Sequence, residues 1–204
     1  MFRVFSLLIG YFIGCISMGF IVGKVTKTDL RTKGSGNLGM TNALRVLGFR
    51  AGLATFVGDI LKSVIAFFIC RWLFPNNDLL AGIYASIGAI LGHDFPFYLQ
   101  FKGGKGISAT IGLVLSLIFV YSPWFGLIIF GAGLIGVLLT NYISVGSIII
   151  SVCTPIVAYF FGMSMETVGI FTAMAILAIW RHNANIKRLM SGTENKFTLR
   201  KNVE

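Results

Sequence analysis

The sequence predicts an all-α integral membrane protein: a bundle of about seven transmembrane helices, N-terminus outside and C-terminus cytoplasmic. Three observations carry that prediction. Hydrophobic residues make up 56% of the 204-residue chain and charged residues only 12%, against about 45–50% and 25% in soluble domains. A chain this short cannot bury so much apolar surface within itself. Seven apolar segments follow one another with short polar breaks. All but three of the 17 Lys and Arg fall in two of those breaks or in the tail.

The segments run over 2–23, 51–74, 79–92, 107–121, 124–139, 143–163 and 167–180. The longest reach the ~20 residues of an ordinary span. The shorter ones cover only about 21–24 Å at 1.5 Å per residue, so they borrow flanking residues or stop short of one face. The first is expected to be a retained helix, not a cleaved signal peptide. It has Arg3 and an apolar stretch, but no small-residue cleavage site, and the run continues past Cys15 to Gly23. Ser, Thr, Gly and Ala recur in most segments, as close helix packing in lipid requires. With no internal repeat, low-complexity tract or linker, residues 1–204 are expected to form a single domain.

Charge sets the orientation. Lys24, Lys27, Arg31, Lys33, Arg45 and Arg50 lie between the first two segments, and Lys102 and Lys105 follow the third. Arg181, Lys187, Arg188, Lys196, Arg200 and Lys201 close the chain; Arg3, Arg71 and Lys62 remain. By the positive-inside rule these clusters are cytoplasmic, which requires an odd number of spans. The net charge of +10 is then mostly one face, suited to anionic headgroups or substrates. Cys15, Cys70 and Cys153 lie far apart in apolar runs and read as small buried hydrophobes. Two His, seven acids and three scattered Cys form no metal-ligand pattern. No cofactor, nucleic acid or protein partner is indicated.

Three polar stretches fall on the predicted cytoplasmic side. Residues 33–42, KGSGNLGMTN, free the backbone at Gly34, Gly36 and Gly39 and supply Ser35, Asn37, Thr41 and Asn42 as neutral hydrogen-bonding groups. The G-x-G-x-x-G match is no dinucleotide fingerprint, because it follows an apolar helix and lacks a βαβ unit. Either a phosphate-binding loop or a flexible connection fits. Residues 92–106, GHDFPFYLQFKGGKG, end in Gly103, Gly104, Lys105 and Gly106 at the start of the fourth segment. This is a compact anion nest with its own cation at a helix N-terminus. It is not a Walker A loop, since no Gly lies five residues before Gly104 and Gly106 follows the Lys. His93, next to Asp94, reads first as structural, with a role as a base the lesser alternative. Residues 181–194, RHNANIKRLMSGTE, would place His182, Asn185 and Arg188 on one face if the helix continued. Such a set can orient a phosphorylated substrate, while lipid-headgroup contact needs only the Lys and Arg. Asp59 and Lys62, spaced i, i+3 in the second segment, read as a mutual ion pair; lining the site or reaching carbonyls is secondary.

GSGNLGMTN, GHDFPFYLQFKGGKG and HNANIKRLMSGTE, in that order, resemble the three motifs of the bacterial acyl-phosphate:glycerol-3-phosphate acyltransferase (PlsY) family. The resemblance spans nearly the whole chain. It implies a seven-helix enzyme of the bacterial inner or plasma membrane with its site on the cytoplasmic side. The implied reaction moves a fatty acyl group from acyl phosphate to the sn-1 hydroxyl of glycerol 3-phosphate, giving lysophosphatidic acid and phosphate. Neither His93 nor His182 has an Asp five residues later, so the H-x-x-x-x-D dyad of other glycerolipid acyltransferases is absent.

By resemblance, Ser35, Lys105, His182 and Asn185 are the candidate catalytic residues. Gly34, Gly36, Asn37, Thr41, Asn42, Arg45, Gly103, Gly104 and Gly106 are candidates for substrate binding, with Arg188 and Glu194 bracing the third motif. The hydroxyl proton goes to His182 or, preferably, to a substrate phosphate; an acyl-enzyme on Ser35 is a further option. A small organophosphate transporter is the alternative from another class, although the polar motifs lie on one side and no inverted repeat is visible.

Overall fold

The computed structural model describes residues 1–197; Arg200 and Lys201, counted above among the cytoplasmic charges, lie outside the described residues. The chain groups into two compact units, Met1–Val120 and Tyr121–Glu204. In the first are α1 (Phe2–Gly14), α2 (Met18–Val25), α3 (Met40–Leu47), α4 (Phe49–Leu73), α5 (Asp78–Asp94) and α6 (Ile107–Val120). In the second are α7 (Pro123–Thr140), α8 (Ile143–Phe160), α9 (Met165–Arg181) and α10 (Asn183–Met190). Among the described residues, four stretches are long and apolar enough to cross a membrane: Phe2–Val25, Phe49–Leu73, Pro123–Thr140 and Ile143–Phe160.

α4 shows why the medium must be lipid. Leu53, Val57, Leu61, Ile65 and Trp72 are exposed, whereas Thr55, Asp59, Lys62 and Ser63 are buried. In water a helix would turn the other way, with its apolar stripe inward. Trp72, Trp124 and Trp180, all exposed, stand near the ends of α4, α7 and α9, as interfacial anchors do.

The expected uninterrupted helix over 2–23 is corrected: it is two helices, broken at Cys15–Ser17. Ser17 caps α2, its Oγ accepting from the Phe20 N–H at 3.4 Å. Breaking a helix in an apolar medium strands carbonyls, which then need donors. The Tyr98 hydroxyl donates to the Cys15 carbonyl at 2.8 Å, and the Lys62 ammonium donates to that of Ile16 at 3.1 Å. Both donors come from distant sequence, so the local apolar pattern carries no trace of the break.

α5 is the buried helix of the first unit, packed against α1, α4 and α6. Its 17 residues are tolerated because protein, not lipid, surrounds most of it. Gly10 and Gly14 of α1 face Ala85 and Ala89, while Gly88 and Gly92 of α5 face the α1 backbone from Leu7 to Cys15. Each pair is spaced i, i+4, so the two helices meet backbone to backbone. A Cβ at Gly88 would lie 2.8 Å from the Tyr11 nitrogen and closer still to the Leu7 carbonyl. Gly88→Leu is therefore expected to cost at least the ~1–3 kcal/mol of ordinary overpacking, seen as a lowered Tm in detergent. An unchanged Tm would refute the seam.

In the second unit α8 packs on α7 and α9. Gly133 and Gly146 face each other across the α7–α8 contact. Cys15 and Cys70 are buried, Cys153 is partly so, and all three are free thiols.

Candidate active site

The first motif is a built loop. Asn42, 2% exposed, sits at its centre. Its amide nitrogen lies 3.1, 3.0 and 2.9 Å from the carbonyls of Leu30, Lys33 and Asn37, and its Oδ1 accepts the Ser35 N–H at 2.8 Å. An amide engaged on every side has little left for a substrate, so Asn42 braces the loop and the expectation of substrate contact is revised. Gly34 and Gly36 take φ +60° and +71°, a region that disfavours side chains. A Cβ at Gly34 would also overlap Asn42. Asn37 Oδ1 accepts from the Gly39 N–H at 2.8 Å, turning the chain into α3, which carries Thr41 and Arg45.

Ser35 is held by its backbone and exposed. Arg31 is occupied by Asp29 at 2.7 Å, which holds that carboxyl down to about 2 through direct hydrogen bonds. Arg45 is exposed and shows no ion pair among the described residues, so its charge is available to an anion.

The second motif folds back over the end of α5. Gln100 and Phe101 take φ +55° and +59° and reverse the chain after the turn at Phe97–Leu99. The N–H groups of Gly103 and Gly104 then donate, each at 3.0 Å, to the carbonyls of Asp94 and His93. The picture of these two amides as an open anion nest is thereby corrected. Both are glycine for space: a Cβ would overlap the His93 carbonyl at Gly103 and the His93 imidazole at Gly104. Gly106, at φ +75°, turns into α6, and its carbonyl accepts the Thr110 N–H at 2.8 Å. What remains of the motif to attract an anion is the start of α6, with the positive end of its dipole, and the partly buried Lys105 two residues before it.

The third motif is not one continuous helix. α9 ends at Arg181, His182 is the joint, and α10 carries Asn185 and Arg188. His182 is 3% exposed, and its Nδ1 lies 2.7 Å from the Ala178 carbonyl. A carbonyl only accepts, so Nδ1 carries a proton and the ring is fixed by that edge. Asn185 and Arg188 do share a face, and both turn to Glu194. The Asn185 amide donates to Oε1 and the Arg188 Nε–H to Oε2, each at 2.6 Å; the Ser144 hydroxyl adds a third bond at 3.0 Å. The expected Arg188–Glu194 brace is present.

Gly192 at φ +69° closes α10, the N–H groups of Gly192 and Thr193 returning to the carbonyls of Leu189 and Arg188. That cap carries Glu194 back onto the helix.

Burial would raise the Glu194 pKa, but hydrogen bonds from Asn185, Arg188 and Ser144 outweigh it and hold the carboxyl below its usual value. A depressed carboxyl stabilises the fold above its unfolded pKa, and that contribution is lost as pH falls through the folded one. Melting temperature is therefore expected to hold from neutrality to about pH 5 and to decline below ~4.3, the ordinary Glu value. Glu194→Gln should flatten that decline while lowering Tm at neutral pH. Parallel acid profiles for the two proteins would refute it.

Sequence reasoning passed over two residues and weighted a third, Lys62, too lightly. Lys62 does more than pair with Asp59, since it also reaches the Ile16 carbonyl and His93. Tyr98 and Ser144 are hydrogen-bonding supports. For Lys62 there was a signal, an ammonium in an apolar helix; for the other two there was none.

Comparison with known proteins bears on the same residues. The family model described as glycerol-3-phosphate acyltransferase matches residues 4–192. A glycerol-3-phosphate acyltransferase of Thermoanaerobacter pseudethanolicus is 42% identical over 96% of both chains, and one of Shouchella clausii is 37% identical over 94% of both. Among solved structures, the chain is similar to PlsY, an integral membrane glycerol 3-phosphate acyltransferase. Its glycerol 3-phosphate form superposes with a TM-score of 0.86 at 31% identity, covering 96% of each chain. Its lysophosphatidic acid form gives 0.83 at 30%, covering 96% of this chain and 95% of that one. These matches displace the transporter alternative. With its three motifs in order along an all-helical membrane fold, the chain belongs to the glycerol-3-phosphate acyltransferase family of the PlsY type.

Proposed function

We propose that this enzyme takes its acyl group from acyl phosphate and places it on the sn-1 hydroxyl of glycerol 3-phosphate, releasing lysophosphatidic acid and inorganic phosphate. It works in a bacterial plasma membrane as a seven-helix protein, N-terminus outside, with the three motifs on the cytoplasmic side. The charge distribution supports that orientation. The observation that carries the chemistry is Lys105 standing two residues before the start of α6. A cation and a helix N-terminus together suit a phosphate that must leave as an anion.

Lys105 offsets charge on the acyl phosphate as the bond between acyl carbon and phosphate oxygen breaks. Arg45, Ser35 and Asn37 supply a cation and neutral donors for substrate phosphate. His182, its ring fixed through Nδ1, is the residue we assign to the attacking hydroxyl. The hydroxyl oxygen bonds to the acyl carbon, the phosphate leaves with the electron pair, and the hydroxyl proton passes to a substrate phosphate. His182 thus holds and aligns glycerol 3-phosphate. Asn185, held by its bond to Glu194, follows His182 by three residues and helps to orient the acceptor.

The test uses purified protein in detergent or lipid, labelled glycerol 3-phosphate and EDTA, with palmitoyl phosphate in one tube and palmitoyl-CoA in the other. Lysophosphatidate from palmitoyl phosphate alone is the expected result. Product from palmitoyl-CoA alone would overturn the donor, and no product from either, in folded protein, would overturn the reaction.

A further inference from the structure

The far end of the first unit holds a cavity that the reaction above does not use. It measures about 280 Å³ and is lined by Phe68, Arg71, Trp72, Pro75 and Asp78, where α4 passes through a short turn into α5. The first motif precedes α4 and the second begins in the last turn of α5, so the cavity and these motifs lie at opposite ends of the same two helices. The 25 residues of α4 rise about 37 Å, more than the ~30 Å hydrocarbon core, which sets the cavity at headgroup depth. Phe68 and Trp72, one turn apart on α4 and both exposed, extend its wall toward the membrane core. Asp78 Oδ2 accepts from the Arg71 Nε–H at 2.9 Å and the Nη2–H at 2.7 Å, while Oδ1 accepts the Leu79 N–H at 2.7 Å. The two side chains are 31% and 42% exposed.

As a clip between two helices this pair is a weak device. Exposed ion pairs contribute little to stability, and a clip needs neither the cavity nor its aromatic wall. Arg71 also runs against the charge bias of the chain, whose Lys and Arg fall, all but three, in the stretches holding the motifs or in the tail. What the pair supplies is two opposite charges side by side with capacity left. Two of the guanidinium's five N–H donors are spent on Asp78, and of the roughly four acceptor sites of the carboxylate one is spare. The phosphate and amine of a zwitterionic phospholipid present the complementary charges. We infer that this cavity is a binding site for the headgroup of a zwitterionic phospholipid: its phosphate accepts from Arg71, its ammonium donates to Asp78, and an acyl chain lies along Trp72 and Phe68. An anionic lipid without an amine gains little here, because Arg71 and Asp78 cancel as charges and the carboxylate repels its phosphate. The bound lipid holds the α4–α5 turn at the interface and takes no part in the reaction.

The experiment is native mass spectrometry of the purified full-length protein, titrated in detergent with palmitoyl-oleoyl phosphatidylethanolamine or with phosphatidylglycerol of the same chains. Wild type is compared with Trp72→Ala and Asp78→Asn. Both variants should bind phosphatidylethanolamine about fivefold or more weakly, the order expected for losing an aromatic wall or a charge-assisted hydrogen bond. Asp78→Asn should gain about as much for phosphatidylglycerol, because Arg71 is then an unpaired cation facing a phosphate. Comparing each lipid across the three proteins cancels its binding elsewhere on the surface. A wild type that retains no phosphatidylethanolamine overturns the inference, as do folded variants that retain as much of it as wild type. A folded Asp78→Asn with no gain for phosphatidylglycerol overturns it too. If Asp78→Asn does not fold, Trp72→Ala decides, at a residue 79% exposed; should that also fail to fold, the cavity is structural and the inference falls. No substrate is present, so the outcome is independent of the acyl donor.

Discussion

Lys105→Met is expected to lower kcat/KM for acyl phosphate by about 10²-fold or more. Charge-assisted hydrogen bonds contribute about 1.5–3 kcal/mol each, and about 1.4 kcal/mol is tenfold in rate. In the proposed reaction Lys105 serves the departing phosphate in both the bound and the reacting state, so KM should rise and kcat fall together. The residue is partly buried, two residues before α6, and its removal leaves the positive end of that helix without its adjoining cation. That end is equivalent to only about half a charge. Lys105→Arg should recover part of the loss, because it restores charge but changes reach and geometry. Turnover of the Met variant within threefold of wild type would show that the phosphate is held elsewhere.

His182→Ala is expected to lower kcat/KM for glycerol 3-phosphate by about 10²–10³-fold, a loss typical of removing a group that manages a reacting proton or its hydroxyl. Two effects add. The ring assigned to the hydroxyl disappears, and the Ala178 carbonyl, served at 2.7 Å by Nδ1, loses that donor. Titration of glycerol 3-phosphate into the variant separates holding from proton transfer. If His182 aligns the acceptor, affinity and turnover fall together and the pH profile keeps its shape. If it is the base, affinity is retained. The acid-side limb of kcat then disappears, because a base acts only when neutral and protonation silences it. The second outcome would overturn the substrate-assisted route.

Much of the fold was legible because its signal is local. Segments 51–74, 107–121 and 124–139 correspond to α4, α6 and α7 within about two residues, as long apolar runs with polar punctuation allow. The break at Cys15–Ser17 was not legible. It is stabilised by Tyr98 and Lys62, 83 and 46 residues away, and local periodicity has no access to such partners. The site was legible as residue types and order. Its division of labour was not: Asn42 and Ser35 lie in one glycine-rich stretch, yet one is a buried brace and the other an exposed crest.

By itself the sequence determined the medium, the run of helices, the side carrying positive charge and the three motifs with their chemistry. These follow from hydropathy and charge, which are sums over residues and need no coordinates. Tertiary structure alone decided which polar groups are engaged within the protein. It closed Gly103 and Gly104 onto the end of α5, set His182 by its Nδ1, and gave Lys62 three acceptors instead of one. The physical reason is that a hydrogen bond depends on distance and direction to within a few tenths of an ångström. In an apolar medium each stranded polar group must find such a partner wherever the fold happens to bring one.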